Sequence, residues 1–151
     1  MGVIMDKVCA FFGHREIWED ISAPLEQAIR TAIMQYGVTS FWVGGCGQFD
    51  AYAAGSVRRL KKEFPHIRLY LILAYLPMKK DPYFCAYDST IYPEGLEFVP
   101  KRFAISKRNR WMVENCDLVI ACINRSHGGA YQAYKTAKGK KVVLNLGSLG
   151  E

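Results

Sequence analysis

Residues that suit the binding of an anion are concentrated in three short, glycine-bearing stretches of the chain. Each stretch follows an apolar run of the kind that forms a buried strand. The stretches are Gly13-His14-Arg15, then Gly44-Gly45-Cys46-Gly47-Gln48 followed by Asp50, and then Asn124 to Gly129, which ends in Gly128-Gly129. Arginine, histidine and asparagine can donate hydrogen bonds to an anion, and glycines let a ligand approach the backbone closely. These residue types predict a site for a phosphate-bearing ligand, with the named residues as candidate contacts.

The central stretch links a predicted strand to a predicted helix. The apolar run Phe41–Val43 precedes the glycines, and an amphipathic helical pattern begins at Phe49. The first N–H groups of such a helix are free, and together with the helix dipole they favour a phosphate at Gly44 to Asp50. An ordinary βα turn without a ligand is the alternative. The dinucleotide-binding pattern is a poor fit, because no third glycine has the required spacing and the positions near Leu69 are apolar.

His14 and Arg15 follow the first predicted strand, at the strand end where ligands bind in open parallel sheets. The planar guanidinium of Arg15 can hold a phosphate through two hydrogen bonds. His14 has three interpretations: a ligand contact, a base in catalysis, or a histidine with a purely structural hydrogen bond. Of the two residues, Arg15 is the better candidate for an anion contact.

The segment Ala104 to Cys116 predicts a helix with an inward stripe that includes Ile105 and Met112. Asn109 falls within this stripe, about 40° from Ile105, and Arg108 lies on its flank. An amide on an apolar stripe needs hydrogen-bond partners, which are either a backbone group or a ligand. The neighbouring Arg108 favours the ligand.

A second anion-binding helix start is predicted at Gly128-Gly129. The apolar run 117–123 precedes this turn, and a helix with small inward residues follows it at Ala130, Ala133 and Ala137. The glycines leave the first N–H groups of that helix accessible. We therefore expect Asn124, Gly128 and Gly129 to contact the ligand.

The rest of the sequence predicts the strands and helices that must position these residues. Ser22 is the predicted N-cap of a helix that ends at Gly37, a third strand covers 67–75, and a fifth covers 141–146. The region 76–100 has no convincing period and is expected to be irregular. Alternating strands and helices predict an α/β fold: a single Rossmann-like, three-layer domain over 1–151, with a mainly parallel sheet of about five strands. A strand order of 3-2-1-4-5 brings all three stretches to one edge.

Composition narrows the class of protein. A hydrophobic content of 50% predicts a packed globule, and no apolar run approaches the ~20 residues of a membrane span. Met1 to Asp6 is too short for a signal peptide, so we expect a cytoplasmic protein without a membrane partner. The five cysteines include no C-x-x-C pair, which favours thiols and argues against a metal site. The net charge of +6 suits nucleic acid or phosphorylated ligands, and the cluster at 58–62 is interpreted as a solvated face.

Taken together, the motifs resemble the YpsA-like branch of the SLOG superfamily, which joins the DprA/SMF proteins and the LOG-type cytokinin-activating proteins. The resemblance covers nearly the whole chain. It is carried by Gly13-His14-Arg15, Gly44-Gly45-x-Gly47-x-Phe49-Asp50 with Ala53-Ala54, Arg108-Asn109-Arg110-x-Met112-Val113, Cys116 to Ala121 and Gly128-Gly129. It implies a Rossmann-like sheet that binds a nucleotide or a nucleotide-derived ligand such as an ADP-ribose compound.

The LOG members of this superfamily are phosphoribohydrolases with a Pro-Gly-Gly-x-Gly-Thr-x-x-Glu signature, and this chain departs from it. Val43 stands in place of the Pro, Gln48 in place of the Thr, and Ala51 in place of the Glu. The acid lies one residue earlier, at Asp50, which turns the side chain by about 100° on a helix. The phosphate-binding part of the signature is therefore better preserved than the catalytic part.

Three functions follow as hypotheses. The first is binding or sensing of a nucleotide-like small molecule, without a cofactor. The second is an N-glycosidase acting on nucleoside 5′-monophosphates, with Asp50 as the catalytic carboxylate. The third is DprA-like binding of single-stranded nucleic acid, the least favoured of the three. A homo-oligomer is expected because closed dimers are common among soluble proteins.

Overall fold

The computed structural model describes residues 6–77 and 82–149, and within these ranges it shows a six-stranded, wholly parallel sheet. The strands are β1 (Val8–Gly13), β2 (Ser40–Val43), β3 (Arg68–Ile72), β4 (Ser89–Ile91), β5 (Leu118–Cys122) and β6 (Val142–Asn145). Their order is β4-β3-β2-β1-β5-β6. The α/β fold and the relative order of the five predicted strands are confirmed, with one strand added at the edge.

Helices cover both faces of the sheet and form the outer two of three layers. They are α1 (Ser22–Tyr36), α2 (Gln48–Leu60), α3 (Ala104–Asn115) and α4 (Gly129–Ala137). Successive residues of a strand point to opposite faces. Cys9 and Phe11 of β1 accordingly pack with α1 and α2, whereas Ala10 and Phe12 pack with α3 and α4.

The edge strand β4 lies in the region predicted to be irregular, so the expectation of about five strands was one short. It pairs with β3, from Tyr70 opposite Ser89 to Ile72 opposite Ile91. Three residues are too few to show a period in the sequence. The Asp88 carboxylate fixes the strand by accepting a 2.7 Å hydrogen bond from the Leu69 amide and pairing with Lys61 at 2.6 Å.

The helix ends predicted from the sequence agree in part with those in the structure. Gly37 ends α1 in the left-handed conformation, with φ of 69°, as predicted. The prediction of Ser22 as N-cap was wrong: Ile21 holds that position, and the Ser22 amide donates to the Asp20 carboxylate at 3.0 Å. Helix α2 begins one residue earlier than predicted, at Gln48.

Two further expectations concerned the cysteines and the membrane. Cys9, Cys116 and Cys122 are buried, and burial raises the pKa of the Cys116 and Cys122 thiols to about 11. None of the helices in the described ranges combines the length and apolar character that a membrane crossing requires. Met1 to Asp6 lies outside the described residues apart from Asp6 itself.

Neighbouring strands bring the three glycine-bearing stretches together. Strands β2, β1 and β5 are adjacent and parallel, so the turns that follow them lie at the same edge of the sheet. Gly13 also allows α2 to lie close to β1, because a Cβ at Gly13 would come within 2.2 Å of the Phe49 ring. This edge is where open α/β sheets bind their ligands.

Candidate ligand-binding site

A cavity of about 370 Å³ opens at the carboxyl edge of the sheet, between the three turns and helices α3 and α4. This volume is within the usual range of small-molecule sites. Most of the residues predicted from the sequence to contact a ligand line it. They are Gly13, His14, Arg15, Gly44, Cys46, Asp50, Arg108, Asn109, Gly128 and Gly129.

Gly45, Gly47 and Gln48 are not among the lining residues and instead shape the turn behind the wall. The Gln48 side-chain oxygen accepts a 2.7 Å hydrogen bond from the Ile17 amide, and the Gln48 amide donates to the Arg15 carbonyl at 2.8 Å. Gly47 has φ of 89°, and a Cβ there would meet the Arg15 Cα at 2.6 Å. The second turn is thus held against the first by backbone contacts that only glycine permits.

Asn124 also lies outside the cavity lining, because its side chain is engaged elsewhere. Its oxygen accepts from the Ser148 amide at 2.8 Å, and its Nδ2 donates to Glu19 at 3.0 Å. The Asn124 backbone N–H donates to His14 Nε2 at 3.1 Å. Asn124 therefore supports the cavity wall through these hydrogen bonds and orients the His14 ring.

His14 is a buried histidine in the neutral form. Since Nε2 accepts a hydrogen bond from Asn124, the proton of the neutral ring is assigned to Nδ1. Burial, followed by electrostatic interaction with Arg125 and His127, lowers the pKa of His14. Near pH 7 the histidine offers an N–H donor without a full charge.

Asp50 holds the glycine turn at the start of α2. Its carboxylate accepts a 3.1 Å hydrogen bond from the Cys46 amide and interacts with the N–H groups of Gly44 and Gly45. Burial raises the pKa of Asp50 to about 6, although the Cys46 N–H and the Arg108 charge act in the opposite direction. The side chain lines the cavity while its oxygens are used to shape the turn.

Arg108 is buried, with 4% of its surface exposed, so the prediction that it lies on the flank of the inward stripe was wrong. Its Nη1 donates to the Gly44 carbonyl at 2.9 Å and to the Ile72 carbonyl at 3.3 Å. The arginine connects α3 to the ends of β2 and β3. A helical wheel does not reveal this role, because the acceptors belong to distant segments of the backbone.

Two further side chains that can donate hydrogen bonds, and that the sequence analysis did not select, also line the cavity. Arg125 is half-buried and His127 is exposed, and both belong to the turn between β5 and α4. Their position in the predicted 124–129 turn was the available signal. With Arg15 and the open N-terminus of α4 they line one cavity, and this combination of donors favours an anion.

The lining also has an apolar part, made by Phe12, Ile105, Met112 and Ala130. A cavity with cationic donors and an apolar wall can hold a molecule that joins a phosphate to a flat, apolar ring system. Within the described ranges, no group of three or more His, Cys, Asp or Glu side chains is arranged to hold a metal ion.

The chain has a Rossmann-like fold with a cavity of small-molecule size at the carboxyl edge of its sheet. No family model matches the sequence, and no curated protein matches it. Solved structures do match. The molybdenum cofactor binding protein of the phototrophic bacterium Rippkaea orientalis has a TM-score of 0.62 and 19% identity, over 97% of this chain and 79% of that one.

Two further structures share the fold. The Moco carrier protein of Chlamydomonas rheinhardtii has a TM-score of 0.54 and 15% identity, over 95% of this chain and 78% of its own. The structural-genomics target TM1055 has a TM-score of 0.56 and 15% identity, over 91% and 72%. The chain is similar to these proteins in architecture.

Proposed function

We propose that the cavity binds a phosphorylated heterocyclic small molecule, and that the protein acts as a carrier or sensor of it. The observation that carries the proposal is the open N-terminus of α4, which lies in the same cavity as Arg15 and Arg125. The ligand class comprises nucleoside monophosphates and ADP-ribose compounds. It also includes the phosphorylated pterin of the molybdenum cofactor, which two of the structural neighbours are named for binding or carrying.

In this proposal the phosphate binds at Gly128-Gly129. Helix α4 begins at Gly129 without a side-chain cap, so its first N–H groups are free to bind an anion. Gly128 has φ of 96°, and nothing lies within 4 Å of the position that a Cβ would take there. Arg15 and Arg125 add positive charge around the same opening.

The heterocycle is placed against the apolar part of the lining. Phe12 and Met112 are buried on the α3 side of the sheet. Ile105, about two helical turns before Met112, is partly exposed. An apolar wall contributes binding energy by removing the ring from water. The same wall suits a purine or a pterin, so the apolar contacts support the class of ligand rather than one member.

The experiment is calorimetric titration of the protein with AMP, ADP-ribose and inorganic phosphate. We expect at least one of these probes to bind, and Arg125→Ala to lower its affinity by about tenfold or more through loss of a charged hydrogen bond. Arg110→Ala is the matched control, since Arg110 is an exposed arginine outside the cavity lining. The proposal fails if no probe binds, or if the two variants lose affinity equally.

A second candidate function, an N-glycosidase acting on nucleoside 5′-monophosphates, is favoured by one observation. Asp50 lines the cavity, and its pKa near 6 is suited to proton transfer close to neutral pH. Release of adenine from AMP by the wild-type protein, lost in Asp50→Asn, would support this activity. Binding of AMP without release of adenine would support the carrier or sensor.

A further inference from the structure

Arg108 and Asn109 are neighbours on α3 and both line the cavity. We infer that Arg108 is a positioning residue, which fixes the Asn109 side chain so that its NH2 group, and not its oxygen, is presented to the ligand. The inference rests on the proposed function for the identity of the ligand. It adds that the Asn109 side chain donates a hydrogen bond to an oxygen atom of that ligand, and it gives the orientation of the Asn109 amide.

The orientation of the Asn109 amide follows from the hydrogen bonds of Arg108. The Arg108 Nε and Nη2 donate to the same Asn109 Oδ1, at 3.2 and 3.1 Å. A guanidinium has donors and no acceptor, so the amide atom that faces it is the oxygen. The amide NH2 must then point away from Arg108.

The Asn109 Nδ2 lies close to the start of α4. It is 3.9 Å from the position that a Cβ would occupy on Gly129, the first residue of that helix. Both residues line the cavity. The amide donor thus stands next to the helix N-terminus at which the phosphate is placed.

Arg108 itself has little capacity left for a ligand. Nη1 is engaged by the Gly44 and Ile72 carbonyls, and Nε and Nη2 by Asn109, so four of the five N–H groups of a guanidinium are used within the protein. The side chain is also buried. Its effect on binding is therefore exerted through Asn109.

The acceptors of this wall are occupied as well. The Asn109 oxygen accepts from Arg108, and the Asp50 carboxylate interacts with the backbone N–H groups of Cys46, Gly44 and Gly45. The wall consequently presents donors, namely the Asn109 NH2 and the N–H groups of α4. The ligand class that fits is one with oxygen acceptors at this position: a phosphate monoester or a comparable oxyanion.

The first test changes only the group that faces the cavity. In Asn109→Asp, one carboxylate oxygen still accepts from Arg108, and the NH2 is replaced by an oxygen that repels an oxyanion. We expect affinity for AMP to fall at least tenfold, with no decrease in the thermal unfolding temperature. Asn115→Asp makes the same change at an exposed position on the same helix and should leave affinity unchanged. Equal affinity of Asn109→Asp and wild type overturns the inference.

The second test is a double-mutant cycle in AMP binding. Arg108→Lys removes the planar pair of donors that holds Asn109, so affinity should fall in the wild-type background. In an Asn109→Ala background the same substitution should cause little further loss, because the residue that Arg108 positions is gone. Additive losses would mean that Arg108 affects the ligand by a route other than Asn109, which contradicts the inference.

A ligand-free measurement keeps the inference testable if Arg108→Lys fails to fold. In the wild-type protein, the Asn109 side-chain NH2 should give a nuclear Overhauser effect to the Gly129 α protons. Its absence overturns the inference even if AMP binds. If this effect is present and AMP, ADP-ribose and phosphate all fail to bind, the orientation stands and the proposed function is overturned.

Discussion

Asp50 illustrates how the environment of a single residue decides its chemistry. In the sequence it is a candidate ligand contact or catalytic carboxylate, and in the structure it is a buried carboxylate that shapes the Gly44–Cys46 turn. Burial disfavours the charged form, and the backbone N–H groups of the turn only partly compensate for this. The folded protein is therefore less stable when Asp50 is ionised than when Asp50 is protonated.

We predict that the stability of the protein depends on pH through the titration of Asp50. The folded-state pKa of about 6 is above the ordinary value of 3.8, so the stabilising contribution is fully present below about pH 4 and is lost as pH rises through 6. Relative to Asp50→Asn, the wild-type free energy of unfolding should fall by up to about 3 kcal/mol between pH 4 and pH 7.

Urea unfolding of both proteins across this range makes the measurement. Other groups, including His14, whose folded-state pKa is lowered, titrate in both proteins and cancel in the difference. A constant difference between wild type and Asp50→Asn from pH 4 to pH 7 would contradict the assigned environment.

At the scale of elements, Arg108 connects helix α3 to two strand ends. Replacing it with Met keeps much of the side-chain volume but leaves the Gly44 and Ile72 carbonyls without this donor. We expect Arg108→Met to lower the free energy of unfolding by about 2–4 kcal/mol, because buried acceptors lose their partner. In chemical denaturation, Arg110→Met, an exposed substitution on the same helix, should change it by less than about 0.5 kcal/mol. Similar values for the two variants would refute the connecting role.

The elements that could be predicted from the sequence are those with a long or strongly apolar pattern. The stripes of α1 and α2 and the apolar runs of β1 and β5 are of this kind. Strand β4 could not be predicted, because tertiary contacts outside the strand fix it. The Asp88 carboxylate accepts a hydrogen bond from the Leu69 amide, and Arg58 donates to the Ala86 carbonyl at 2.8 Å. The cluster at 58–62, interpreted as a solvated face, thus partly serves to attach this edge.

The same limit applies to the site. The location of the cavity follows from the strand order, which the alternation of strands and helices indicates. The division of labour within it does not, since Gln48 and Asn124 have the residue types of ligand contacts but are engaged by Ile17 and Ser148. Arg125 and His127 lie in a predicted turn, but only the geometry shows that they line the cavity.

In the molecule as a whole, three turns converge on one cavity. Strands β2, β1 and β5 bring these turns to the same edge, and α3 and α4 close the space above them. Binding of a phosphorylated ligand is proposed for this cavity and for no other surface.

The most direct test is nuclear magnetic resonance of the uniformly ¹⁵N-labelled protein during titration with AMP and with ADP-ribose. We expect saturable shifts of backbone amide signals that cluster at 13–15, 44–46 and 125–130 and spare the α1 surface. The absence of saturable shifts with both ligands, or a cluster of shifts elsewhere on the molecule, would contradict binding in this cavity.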